Sequence, residues 1–257
     1  MAEAVTAGTL AALPGLAHGF FTRRGGVSGG GFAALNCSLS GRDDPDAVRE
    51  NRRRAADALG LPGTALVGLT QVHGDAVAVL DEPWPEDARP QADAVVTRRP
   101  GLALGIVTAD CAPVLFADTA AGVIGAAHAG WRGAVAGVLE ATVDAMVAIG
   151  ARRGRIVAAI GPCIRQPSYE VAADLRRAVL AHATIDARFF APGARPDRWQ
   201  FDLAGYCAAR LLAVGVAPEV TSHDTLADEA RFFSHRRNTL AKGGPIGHQL
   251  SAIALGA

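Results

Sequence analysis

Apolar runs of strand length recur along the chain, at residues 65–69, 76–80, 94–97, 102–108, 113–117, 123–127 and 156–160. Several are continuously apolar instead of alternating, which predicts strands covered on both faces. Helical patterns lie between and after them. The first, 46–59, opens on Asp44-Pro45, carries Glu50 early and arginines later, and stops at Gly60, an order of charges that suits the helix dipole. A second, 134–149, follows the loop Ala129-Gly130-Trp131-Arg132-Gly133 and ends at Gly150; 171–183 and 202–214 complete the set. No Pro- or Ser-rich linker, repeat or long charge block divides the chain. The prediction is therefore one layered domain over 1–257, of the α/β or α+β class, with a mixed β-sheet core and flanking helices. The stretch 82–91, rich in proline and acidic residues, reads as a surface excursion.

Composition narrows the function classes. With 50% hydrophobic and 19% charged residues the chain can bury a large core and is far too apolar for a disordered linker. Lys plus Arg total 25 against 25 for Asp plus Glu, so counterion-driven binding of nucleic acid loses its main term. No apolar run reaches the ~20 residues of a bilayer span. The first twenty residues carry Glu3, lack a basic start and run into Thr22-Arg23-Arg24, so a cytoplasmic protein without membrane or nucleic-acid partners is expected. The four cysteines, Cys37, Cys111, Cys163 and Cys207, lie far apart, and structural disulfides are not expected. Lys242 is the sole lysine and sits outside any P-loop frame. Gly26-Val27-Ser28-Gly29-Gly30 matches the nucleophile-elbow string, but no buried strand leads into it and no helix pattern follows, so it is not read as catalytic.

Polar residues that interrupt apolar strands point to chemistry, because burying them costs free energy unless they are bonded or bind something. Gln71-Val72-His73-Gly74 follows one run, Asp110-Cys111 separates two others, and His128 ends a fourth. Each lies near a strand end, where side chains from different strands converge. The imidazoles of His73 and His128 and the Cys111 thiolate can bind zinc and leave a fourth position for water or substrate. Their spacing is long-range and carries no local metal signature, so a metal-free pair, Cys111 as nucleophile and His128 as base, stays open. In the turn after His128, Gly130 and Gly133 allow close backbone approach, and Arg132 at the start of a predicted helix suits a phosphate or carboxylate.

Blocks of the sequence resemble one known family. His18-Gly19-Phe20-Phe21-Thr22-Arg23-Arg24-Gly25-Gly26, Glu50-Asn51-Arg52, Gln71-Val72-His73-Gly74, Ala92-Asp93-Ala94, Ala109-Asp110-Cys111-Ala112-Pro113, His128-Ala129-Gly130-Trp131-Arg132-Gly133, Gly161-Pro162-Cys163-Ile164 and Phe233-Ser234-His235-Arg236-Arg237 occur in one order. Together they resemble the YfiH family, also labelled laccase-domain, polyphenol oxidase or peptidoglycan editing factor proteins, over about residues 18–252. The resemblance implies a mixed-sheet α/β fold like that of cysteine-dependent deamidating toxins, and one zinc ion held by His73, Cys111 and His128 as the catalytic centre. It implies phosphorolysis of adenosine, inosine, guanosine and methylthioadenosine, and deamination of adenosine, with nucleoside and phosphate as small-molecule partners. A zinc-activated water suits attack at C6 of adenine. Arg23, Arg52, Arg132 and Arg236 become candidates for holding phosphate, Arg132 alone with a local physical reason. The chain departs from the family at Pro245-Ile246-Gly247-His248, where a T-G-R-like string is common, so His248 receives no role. Cys163 reads as a buried structural thiol.

The other family labels imply other chemistries. A multicopper oxidase needs a blue-copper site and a trinuclear cluster, usually built from H-x-H pairs, and the seven histidines form none. A single His₂Cys site could still take copper. An amidase removing serine from a UDP-linked muramic acid precursor is the main alternative, and a non-catalytic metal-binding partner protein is a further one.

Overall fold

The computed structural model describes residues 1–256. Its strands are β1 (Ala4–Val5), β2 (Leu16–Phe21), β3 (Leu66–Val67), β4 (Val77–Leu80), β5 (Ala94–Thr97), β6 (Ala103–Thr108), β7 (Ala112–Asp118), β8 (Val123–Ala129), β9 (Val157–Ile160), β10 (Glu170–Val171), β11 (Phe190–Pro192), β12 (Trp199–Phe201), β13 (Pro218–Val220) and β14 (Gln249–Leu255). Its helices are α1 (Gly8–Ala11), α2 (Pro45–Ala58), α3 (Trp131–Ala136), α4 (Val138–Ala148), α5 (Ala173–His182), α6 (Leu203–Ala213) and α7 (His235–Leu240). One sheet has the order β13-β9-β7-β8-β5-β4, a second β1-β2-β14-β6-β3, and a small third sheet β10-β12-β11. Both large sheets are mixed: β4/β5, β9/β13 and β3/β6 pair in parallel and their other pairs are antiparallel.

The two large sheets pack face to face, and helices cover their outer sides. Between them Leu115, Ile124 and Ala126 of the first sheet meet Leu104, Ile106 and Ile253 of the second. Outside the first sheet, Val114, Phe116 and Ala127 pack on Leu139, Val143 and Met146 of α4 and on Tyr206 and Leu211 of α6. Outside the second, Leu66, Ala103, Leu250 and Ala252 pack on Ala55 and Ala56 of α2. Strand β7 shows the consequence for sequence: Leu115 and Ala117 point inward, Val114 and Phe116 point outward, and all four are fully buried. A continuous apolar run is what such a doubly covered strand requires. Burying each large side chain stabilises the fold by about 1.5–3 kcal/mol.

Several expectations are revised. The helix expected over 134–149 starts at Trp131 and is cut in two, because Gly137 adopts a left-handed conformation (φ 106°) between α3 and α4. The run 65–69 pairs only as β3. The excursion 82–91 does not simply project into solvent: the Trp84 indole N–H donates to the Gly68 carbonyl at 2.8 Å, folding the segment back over the end of β3. No described helix is long and apolar enough to cross a membrane.

Candidate active site

The loop after β3, the turn from β6 to β7 and the end of β8 bring His73, Cys111 and His128 together. The β7/β8 register pairs Pro113 with His128 and Ala112 with Ala129, so Cys111 falls one step further, beside Gly130. A methyl group on Gly130 would lie 3.0 Å from the Cys111 Sγ and 3.2 Å from the His73 Cδ2. Absence of a side chain there is what lets the three residues close on one point. His73 itself has φ 64°, a left-handed conformation that a non-glycine residue holds only when its surroundings fix it.

Asp93 does the fixing. Its carboxylate, fully buried at the start of β5, accepts the backbone N–H groups of Val72 at 3.1 Å, His73 at 2.9 Å and Gly74 at 2.7 Å, and the ring Nδ1 of His128 at 2.7 Å. Burial alone would raise its pKa, but these donors hold it below the usual carboxylate range. An ionised carboxylate only accepts, so the His128 Nδ1 carries the proton and its Nε2 is the nitrogen left for the site. Asp93 thus serves both histidines, one through its ring and one through its backbone.

The donor atoms of His73, Cys111 and His128 lie within 4.8 Å of one another. Burial pushes the Cys111 thiol up, yet the His128 charge, with hydrogen bonding from His128 and His73, outweighs it and brings the group down to about 6. Burial would lower His128, but the Cys111 thiolate and Asp93 raise it to about 9. Thiolate at neutral pH, two imidazoles, an oriented tautomer and a side-chain-free cradle at Gly130 form a donor set that fits a single zinc ion. Copper also accepts imidazole and thiolate. Among the described residues this is the one such group of three, fewer than a blue-copper site plus a trinuclear cluster demands.

The cluster opens on a cavity of about 650 Å³ whose wall includes Arg52, Arg89, Tyr169, Arg132, His235, Arg236 and His248. Of the predicted arginines, Arg132 is exposed and stacks over Trp131 at 4.3 Å. Arg236 is tied down, its backbone N–H donating to Asp110 at 2.6 Å, its guanidinium donating to the Glu170 carbonyl at 2.7 Å and lying over Tyr169. Arg52 is buried in the wall. Arg23 does not line the cavity: it donates to the Ala33 carbonyl at 2.8 Å and stacks over Phe233, anchoring the segment 23–35. The helix argument for Arg132 also changes. Six-residue α3 supplies only a short stack of peptide dipoles.

Asp110, next to Cys111, has φ 90° and a fully engaged carboxylate, accepting from the Thr225 hydroxyl at 2.7 Å, the Ser234 hydroxyl at 3.0 Å and the Arg236 N–H. It pins the segment carrying α7 to the β6–β7 turn. His248 lines the cavity with a buried, unpartnered Nδ1, and burial, then the neighbouring histidines, push it down to about 4. Ser28 of the elbow-like string donates to Asp43 at 2.6 Å, away from the cavity. Cys163 is a buried thiol pushed up to about 12 by burial. Sequence reasoning gave no role to Asp93 or Arg89; burial of an acid immediately ahead of an apolar run was the available signal for Asp93.

Fold and site define a layered α/β protein with one His-Cys-His cluster in a cavity walled by arginine. Residues 17–256 match the family described as multi-copper polyphenol oxidoreductase laccase, and the chain belongs to that family. It is 45% identical over 238 residues, 89% of this chain and 92% of the relative, to a Streptomyces griseus protein named purine nucleoside phosphorylase ORF3. It is similar to a solved Neisseria meningitidis protein of the family DUF152, with TM-score 0.85 and 34% identity over 96% of both chains. A Bacillus licheniformis hypothetical protein YfiH gives TM-score 0.86 and 29% identity over 93% of this chain and 92% of that one.

Proposed function

We propose that this chain is a zinc-dependent purine nucleoside phosphorylase, acting on adenosine, inosine, guanosine or methylthioadenosine, that also deaminates adenosine. The observation that carries it is the convergence of His73, Cys111 and His128 on a cavity that also presents guanidinium groups; relatives named purine nucleoside phosphorylase supply the substrate class. His73, Cys111 and His128 would hold the zinc, which would supply Lewis acidity to the reaction. The remaining tasks belong to the protein. Asp93 keeps the His128 proton on Nδ1 and holds the His73 loop in its strained shape. Guanidinium groups hold the anion that attacks the ribose carbon. His248, neutral because it is buried, lines the cavity wall without adding charge. Incubation with inosine or adenosine should release free base only when phosphate is present; equal release without phosphate would make the enzyme a hydrolase and refute phosphorolysis.

One geometric feature favours a second reading. Asp93, His128 and Cys111 stand in the order orienting acid, base and nucleophile, which suits a metal-free cysteine hydrolase such as an amidase acting on a muramoyl-serine precursor. Under that reading strong chelation leaves activity intact and an alkylating reagent abolishes it. The His73 cluster favours the metal, because a two-residue nucleophile and base leave His73 without a task.

A further inference from the structure

Four arginines crowd the exposed and inner faces of α2, and three are matched to carboxylates. Arg49 donates to Asp46 at 2.9 Å, Arg53 to Glu50 at 2.7 Å and Arg54 to Glu50 at 2.7 Å. Arg52 differs. It is only 9% exposed, and its guanidinium donates only to the carbonyls of Cys37 at 3.3 Å and Leu66 at 3.2 Å. Among the described residues no carboxylate lies within ion-pair distance of it. Across the same cavity wall stands Arg89, carried there by the returning segment 82–91, with Nε and one terminal nitrogen buried and without a partner. On that segment Glu86 is turned to Arg49 at 3.9 Å.

A buried charge without an opposite charge is expensive, and two like charges on one wall are more so. The Arg52 pKa is lowered chiefly by burial, with the Arg89 charge adding to it, while Cys37 and Glu86 offset only part of the shift. Both side chains line the cavity of the His73-Cys111-His128 cluster, and both also line an adjoining groove of about 700 Å³. They stand where the two spaces meet, beside Ser38, Ser40 and Gly41. Arg132 and Arg236 are already stacked on Trp131 and Tyr169, and Arg23 is outside.

We infer that Arg52 and Arg89 form the oxyanion subsite of this cavity, taking a tetrahedral phosphate group between their guanidinium forks. Its use by orthophosphate as cosubstrate rests on the phosphorolytic reading above; the phosphoryl group of a nucleoside monophosphate has the same chemistry.

Calorimetric titration of inorganic phosphate, and separately of adenosine monophosphate against adenosine, into the full-length zinc-loaded protein tests the subsite without requiring turnover. Arg89→Ala is the principal variant, since Arg89 is part-exposed on a peripheral segment, whereas Arg52→Ala would empty a buried position and unfold the 37–41 loop. Phosphate affinity should fall at least about tenfold in Arg89→Ala, with zinc content unchanged and the phosphate-free thermal midpoint unchanged or raised, because a like charge beside Arg52 is removed. Binding of the monophosphate alone, weakened equally by the substitution, would keep the subsite and assign it to a phosphate ester. Unchanged affinity for both ligands in Arg89→Ala overturns the inference, as does an equal loss in Arg132→Ala, which would move the anion to the Trp131–Arg132 turn. Phosphate binding that depends on Arg89 in a protein that cleaves no nucleoside would leave the subsite standing and refute phosphorolysis alone.

Discussion

Replacing Asp93 by Asn changes one atom and should damage the site from both sides. The carboxylate divides its work: Oδ1 accepts from His73 N–H and His128 Nδ1, and Oδ2 accepts from Val72 and Gly74 N–H. An amide has one accepting oxygen. Placed at Oδ1, it leaves its NH₂ facing the Val72 and Gly74 donors; placed at Oδ2, the NH₂ faces His73 N–H and forces the His128 ring to accept, which moves the proton to Nε2 and blocks the nitrogen aimed at the site. The first orientation strands two donors and the second strands the His73 N–H, each at about 1–3 kcal/mol in a fully buried position, so stability should drop by about 1–6 kcal/mol. Metal affinity should fall about 10–100-fold, the range for loss of an orienting partner. Denaturant unfolding of chelated protein measures the first and competition with a chromophoric chelator the second. A variant within about 0.5 kcal/mol of the parent, binding zinc equally well, would refute Asp93 as the common support of both histidines.

Cys111→Ala should bind less than a tenth as much zinc as the parent by elemental analysis, about the loss expected when a ligand is removed from a three-ligand site; equal metal in both would refute ligation. Because the metal-free pair holds Cys111 as thiolate (about 6) and His128 as imidazolium (about 9), zinc uptake at neutral pH should release about one proton, rising toward two below about 6 where the free thiol is protonated as well, so affinity should fall more steeply with acid there; the readout is calorimetry in buffers of different ionisation enthalpy. Gly130→Ala should weaken zinc binding about tenfold while changing stability by less than about 2 kcal/mol, since its φ of −67° suits any residue and only the contacts with Cys111 and His73 are violated. Unchanged affinity there would mean the cluster is looser than its geometry implies.

The strands legible in sequence were those covered on both faces. β7 and β8 read as unbroken apolar runs because both sides of the sheet are dry, and α2 announced itself through Asp44, whose carboxylate caps Asp46 N–H at 3.0 Å, and through Pro45 at the first turn. β2 was hidden because His18 and Gly19 interrupt it; His18 is nonetheless buried, its Nε2 accepting the Ala7 N–H at 2.9 Å, so an apparently polar position is internally satisfied. β14, the central strand of the second sheet, lies at the far end of the chain, and its pairing with β2 and β6 is a long-range fact that local pattern does not carry. The three polar interruptions at His73, Cys111 and His128 were visible individually. Their meeting depends on register and on the left-handed backbone at His73 and Asp110, which no spacing rule encodes. Arg23 shows the limit of motif position: its guanidinium is engaged with the Ala33 carbonyl and the Phe233 ring and does not line the cavity.

The support given to His73 bears on the choice between metal centre and cysteine nucleophile. An orienting acid in a triad needs one hydrogen bond, to the ring of its histidine. Asp93 makes that bond with one face of one oxygen and commits its other contacts to three consecutive amides around His73. Those amides stabilise a left-handed residue that would otherwise cost on the order of 1–3 kcal/mol, and the sole evident return is that the His73 ring comes within 4.7 Å, centroid to centroid, of the His128 ring, next to Cys111. A hydrolase could dispense with that arrangement, whereas a site that must present three donors to one ion could not. The zinc reading therefore accounts for the backbone of residues 72–74 as well as for the side chains, and the triad reading accounts for the side chains of two residues only.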